Sequence, residues 1–188
     1  MNRLASPAQL RASFLRWALV LVPAVLLLGF VSGAVAGSGA DNPWFAVLEK
    51  PAIYPPPATF GIVWSILYVL IGFAAAMIAS AWGARGRTAA LVMFAIQLAL
   101  NLAWSPTFFG QHKIGTALAV IGVLDVAVVV TVVLFWRVRR GAGLLLLPYL
   151  AWVLFATLLN WEFLQLNPDA DGAQVSGAVQ RIDLNSAD

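Results

Sequence analysis

"FAIQLALNLAWSPTFFG", residues 94–110, is a charge-free stretch long enough to belong to a bilayer-crossing helix, yet it carries Gln97, Asn101, Trp104 and Ser105. At ~100° per residue, Gln97, Asn101, Trp104 and Phe108 fall within about 60° of one another, so an α-helix gathers them on one face. The opposite face carries Ala95, Ala99 and Ala103, small residues four apart that suit close helix contact, either inside the chain or across a homodimer. Amides in hydrocarbon need partners. The polar face therefore points into a bundle, where Gln97 and Asn101 either hydrogen-bond between helices or contact a ligand.

The whole chain has this apolar character. Of its 188 residues 62% are hydrophobic and 10% charged, with a mean hydropathy of +0.89, whereas roughly a quarter of the residues in a soluble domain are charged. Lacking cysteine, it can form neither a disulfide nor a thiolate metal site, and the single His112 cannot build a multi-histidine one. The pI near 9.8 does not signal nucleic acid, because the basic residues fall in short clusters between apolar runs, as topology signals do.

Five apolar runs, at about 17–36, 60–82, 88–109, 114–136 and 142–165, are each long enough to cross the hydrocarbon core as a helix. They lack the alternation of membrane strands. The expectation is an all-α integral membrane protein, a five-transmembrane-helix bundle over 17–167, preceded by a basic segment at 1–16 and followed by a polar, disordered tail at 168–188. Short connections at 83–87, 110–113 and 137–141 make consecutive helices antiparallel neighbours; only the loop at 37–59 is long. Arg3, Arg11, Arg16, Arg85, Arg87, Arg137, Arg139 and Arg140 share one side against Lys50, Lys113 and Arg181 on the other. The positive-inside rule then puts the N-terminus in the cytoplasm, and the long loop and acidic tail outside. For helical spans this favours the cytoplasmic membrane. Residues 1–36 also admit a cleavable secretory signal, but Gly29, Gly33 and Gly37 form a small-residue stripe suited to a retained, closely packed helix or a dimer contact.

Two further helices repeat the aromatic and polar stripe: Gly61, Trp64, Tyr68 and Ala75 on the second, and Tyr149, Trp152, Ala156 and Asn160 on the fifth. Helix rise puts Trp64, Trp104 and Asn160 about 7 Å inside the outer end, so the stripes converge in the outer half. Above them lies "NPWFAVLEKPAIYPPPATFG", residues 42–61, whose repeated prolines stiffen it into a cover. An aromatic pocket with a few amides suits a flat, mostly apolar ligand. Trp17, Trp82, Trp136 and Trp161 sit at helix ends as interfacial anchors, a role also open to the shallow Trp64 and Trp104. Asp125, near a helix centre, is read as an interhelical hydrogen-bonding residue, with proton coupling the alternative. His112 is read as solvated, haem ligation being the alternative.

At "WFAVLEKPAIYPPP" (44–57), "GIVWSILY" (61–68), "QLALNLAWSPTFFG" (97–110) and "LLLPYLAWVLFATLLNWEFLQLN" (145–167), the chain resembles the tryptophan-rich sensory protein family, also called translocator protein or peripheral-type benzodiazepine receptor (TspO/MBR). The resemblance spans about 17–167. It implies a five-helix bundle, often dimeric, that binds porphyrins, and in some members sterols and drugs, in an outer-half pocket under the first loop. Carried over, it makes Trp64 and Trp152 the porphyrin-flanking tryptophans, with Asn101 and Trp104 in the pocket and Phe45, Pro55 and Pro56 in the loop. Together with Tyr68, Ala156 and Asn160 these are the candidate ligand-binding residues. Where many members carry a loop Trp this chain has Ile53, and no basic residue follows Tyr149 until Arg181, so the cholesterol pattern is absent. The function implied is a porphyrin (tetrapyrrole) receptor or sensor in transport, stress or pigment regulation. The alternatives are a light-dependent porphyrin-degrading enzyme, with Trp64 and Trp152 as oxidisable groups, and a porphyrin or sterol translocator. No metal or cofactor is expected beyond porphyrin as ligand, and neither a nucleophile with its base nor a metal set appears.

Overall fold

The first helix begins well before its apolar run. In the computed structural model, which describes residues 6–172, Ser6 Oγ accepts from the Gln9 N–H at 3.3 Å while Gln9 Oε1 accepts from the Ser6 N–H at 2.8 Å. This reciprocal cap, with Pro7 in the first turn, starts α1 at Pro7–Val35. Most of the segment read as a basic extension is therefore helical. At 29 residues α1 is ~43 Å long against a hydrocarbon core of ~30 Å, so its first turns stand clear of the core.

A short helix α2 (Pro43–Val47) interrupts the long loop, capped by Asn42 Oδ1 on the Phe45 N–H. It is followed by α3 (Pro57–Ala79), α4 (Arg87–Ser105) and α5 (Ile114–Val138). The fifth apolar run was expected to be one helix, but it divides into α6 (Arg140–Leu145) and α7 (Leu147–Leu166). Pro148 is the cause: it has no N–H for the Leu144 carbonyl, and its ring crowds the turn before it. The two pieces run on as one crossing, Arg140–Leu166, so among the described residues five helical stretches are long and apolar enough to span a bilayer.

Helix α1 packs along α3, α3 also meets α6, and α5 packs against α4, α6 and α7. Helices α4 and α7 make almost no close backbone contact. Gly72 explains the tightest approach, since a Cβ there would meet Val22 Cα of α1 at 2.6 Å. Gly29 is used in the same way: a Cβ would lie 2.2 Å from the Tyr68 ring. Of the glycine stripe read as a packing or dimer candidate, Gly29 alone is buried. Gly29 is spent inside the chain, and Gly37 lies in the turn beyond α1 with φ 62°. The alanine stripe of α4 does face outward, with Ala95, Ala99 and Ala103 all exposed. Along the spans the outer surface carries large apolar side chains, as at Leu19 (76% exposed) and Val35 (82%), which lipid solvates at no cost.

The tail read as disordered from 168 begins with a docked turn. Pro168–Ala170 forms a 3₁₀ turn, Asp171 Oδ1 accepts from the Gly115 N–H at 3.2 Å, and the Gly172 N–H donates to the His112 carbonyl at 2.7 Å. Residues 173–188 of that tail lie outside the described residues, as do 1–5. Because Gly72 faces backbone, Gly72→Ala is expected to cost about 1–3 kcal/mol, lowering the thermal unfolding midpoint of the purified protein. Gly122→Ala on α5, where a Cβ meets open space, is expected to be neutral or slightly stabilising in the same melt.

Candidate ligand-binding site

Pro106 shapes the end of α4. Without an N–H it leaves the Leu102 carbonyl unpaired in the helix, and Ser32 Oγ of α1 donates to that carbonyl at 2.6 Å. The helix then widens into a π turn, Pro106–Gly110, closed by the Gln111 N–H on the Pro106 carbonyl at 2.9 Å. The turn directs the neighbouring rings of Phe108 and Phe109 to the same cavity.

Below that turn the polar face of α4 meets its partners. Tyr149 Oη of α7 donates to Gln97 Oε1 at 2.9 Å and accepts from Asn101 Nδ2 at 3.1 Å. Asn101 Oδ1 accepts from Tyr68 Oη of α3 at 3.3 Å. One level nearer the loop, Trp104 Nε1 donates to Asn160 Oδ1 at 3.0 Å, and Asn160 Nδ2 donates to the Ile114 carbonyl at 3.1 Å. Long side chains therefore bridge α4 and α7 where their backbones stay apart, and the space between is a cavity of about 460 Å³. That volume lies within the range of small-molecule sites.

Its walls are aromatic. Trp64 stacks on Tyr68 at 5.1 Å, Trp104 on Phe108 at 5.0 Å, and Phe60 meets the edge of Trp152 at 5.9 Å. Phe45, Tyr54 and Phe163 form the roof, with ring centroids 5.4–5.9 Å apart. The roof is held from both ends. Asn167 exchanges hydrogen bonds with the Glu49 backbone at 2.7 and 3.0 Å, and Lys50 donates to the Phe45 and Leu48 carbonyls with its ammonium 4.3 Å from the Phe45 ring centre. Partial burial pulls the Lys50 pKa below the ordinary lysine value and pushes the Tyr54 phenol above its own. Among the wall residues, the Trp152 indole N–H is buried without a hydrogen-bond partner.

Of the residues expected at the site, Phe45, Trp64, Tyr68, Asn101, Trp104, Trp152, Ala156 and Asn160 line this cavity. Pro55 and Pro56 do not. Pro56, extended at φ −51° and ψ 139°, sets the start of α3, and Pro57 is the proline that reaches the wall. Sequence reasoning missed Phe60 and Phe163, although each continues a stripe already drawn, four residues before Trp64 and three after Asn160. Phe30, Gly33 and Ala34 of α1 were also missed, and no polar residue on that helix face marked them. His112, expected to be solvated, stacks on Trp44 at 4.6 Å and adopts φ 58°. Asp125 pairs across helices, accepting from Thr157 Oγ1 of α7 at 2.8 Å.

A family model described as the TspO/MBR family matches residues 19–166. The chain is 43% identical over 144 residues to the tryptophan-rich protein TspO of Chlorobaculum tepidum, an alignment covering 76% of this chain and 90% of that protein. It is 40% identical to the tryptophan-rich sensory protein of Cereibacter sphaeroides, covering 76% and 91%. It is also 40% identical to the translocator protein of Sus scrofa, covering 75% and 83%.

Asn101 serves two phenols at once, so Asn101→Ala is expected to destabilise the protein by about 1–2 kcal/mol, at the upper end for interhelical hydrogen bonds. The measurement is equilibrium unfolding in detergent; a change within error would mean that water or a rearranged Gln97 already satisfies Tyr68 and Tyr149.

Proposed function

The chain belongs to the TspO/MBR family, and from that membership we propose that it is a membrane receptor that binds porphyrins in the cavity under the loop. Five apolar helices and the family make it a multi-pass integral membrane protein. The observation that carries the ligand reading is the aromatic lining: indole and phenyl faces on several sides, with only a few amide and phenol groups among them. A flat conjugated ring buries its faces against such walls, and stacking adds to the area term. The free Trp152 N–H supplies one donor for a polar edge of the ligand.

The names of the relatives divide between sensing and translocation. The cavity floor supports the receptor reading for this chain. The Tyr68, Asn101, Tyr149 and Gln97 network closes the bundle below the ligand, and the buried Ala74, Ala75, Ile78, Val128 and Phe135 fill it beyond. Passage through the bundle would have to break that network and that packing. In the cell, we place the arginine-rich end in the cytoplasm and the loop end outside, in the cytoplasmic membrane. A homodimer would pair through the exposed Ala95, Ala99 and Ala103 face of α4, where small side chains allow close approach.

The test is a dark titration of the detergent-purified protein with protoporphyrin IX, followed by tryptophan quenching, beside the Trp64→Phe/Trp152→Phe variant. Saturable micromolar quenching that weakens about tenfold in the variant, about 1.4 kcal/mol, is the expected result. Non-saturable quenching like that of empty micelles would sink the reading. Repeating the titration in light separates a receptor, which returns the porphyrin intact, from a degrading enzyme, which does not.

A further inference from the structure

A second cavity, of about 540 Å³, opens at the arginine-rich end, between the protruding first turns of α1 and the nearby ends of α3 and α5. Gln9, Ser13 and Arg16 line it from α1, Ser80 and Trp82 from the end of α3, and Arg139 from the extended residue between α5 and α6. The surrounding segments contain no carboxylate at all: residues 1–40, 80–90 and 136–144 have neither Asp nor Glu. Arg87 is already committed, its Nε and Nη2 donating to the Ala79 carbonyl at 3.2 and 2.8 Å and its guanidinium 4.2 Å from the Trp82 ring centre. Among the described residues, the Arg16 and Arg139 guanidiniums have neither a hydrogen bond nor an ion pair. Two free guanidiniums on one groove make a site for a doubly coordinated oxyanion.

We propose that this groove binds the phosphate-bearing headgroup of an anionic phospholipid, with Arg16 and Arg139 holding the phosphate. Among the described residues, the loop carboxylates Asp41, Glu49, Asp169 and Asp171 all belong to the other end. Level and shape favour a lipid over a soluble anion. The rings of Trp17 and Trp82 lie 6.5 Å apart beside the groove, at the depth where indoles mark the headgroup layer. Below it, on the helix face that carries Gln9, Ser13 and Arg16, Val20 (60% exposed) and Leu27 (65%) continue down α1 as an apolar track for the acyl chains. Ser13 and the Gln9 amide add neutral donors for headgroup oxygens. Basic pockets of this kind between transmembrane helices recognise anionic headgroups.

The test uses the full chain in detergent, with lipid adducts counted by native mass spectrometry after addition of phosphatidylglycerol or phosphatidylcholine. Wild type is expected to retain phosphatidylglycerol preferentially, and Arg16→Gln/Arg139→Gln to reduce that preference by at least about tenfold. Arg85→Gln/Arg137→Gln removes the same charge from the same end outside the groove and is expected to leave the preference nearly unchanged. Equal loss in both pairs would reduce the effect to diffuse surface charge and overturn the site. Competition by glycerol 3-phosphate as effective as that of the lipid would assign the groove to a soluble phosphate and overturn the lipid. Arg16→Glu alone, at an exposed position, guards against misfolding of the double variant; it too must lose the preference, and retention would overturn the proposal.

Discussion

Three helices meet at the Tyr149 hydroxyl. It donates to Gln97, accepts from Asn101, and through Asn101 reaches Tyr68, so α7, α4 and α3 are joined by neutral side chains inside the bundle. In hydrocarbon an unpaired amide or phenol costs several kcal/mol, and the network meets most of that demand for α4, the Gln97 Nε2 being its one buried group without a partner among the described residues. The same groups set a distance. Glutamine, asparagine, tyrosine and, one level up, Trp104 with Asn160 are long enough to span α4 and α7 without bringing their backbones together. The cavity is thus a consequence of how the polar groups are satisfied.

Pro106 plays the complementary part at the loop end. It frees the Leu102 carbonyl, which ties α1 to α4 through Ser32, and it opens the π turn that places Phe108 and Phe109 in the wall. An interrupted helix is tolerated at this depth only because each freed backbone group finds a new partner, and such interruptions gather at functional sites. The α3, α4 and α7 walls are cross-linked and stacked, while the α1 wall, with Gly33 and Ala34, is braced to α4 by one hydroxyl.

How much of this the sequence disclosed follows from the range of each signal. Span existence was legible because a bilayer demands an apolar run of a set length. The wall residues of α3, α4 and α7 were legible because a 100° period turns spacing into a face, as Gln97, Asn101 and Trp104 show. Pro148, by contrast, was in view, but whether a proline kinks, splits or merely begins a helix depends on what packs beside it. Pro55 and Pro56 were assigned to the pocket by resemblance, and only the backbone path shows that they turn the chain into α3 while Pro57 reaches the wall. His112 on Trp44, and Asp171 on Gly115, depend on contacts between residues distant in sequence, which local pattern does not encode.

The two ends of the bundle are chemically opposed, and the middle keeps them so. At the loop end Lys50 is tied to two carbonyls and no cation among the described residues lines the cavity, so recognition there falls to ring faces and neutral hydrogen-bonding groups. At the other end guanidiniums abound without a carboxylate to quench them. Between the two lie the amide–phenol floor and a core of buried alanine, isoleucine, valine and phenylalanine that excludes charge. On the two proposals each end takes a different class of molecule, and the packed middle separates the two sites within the bundle.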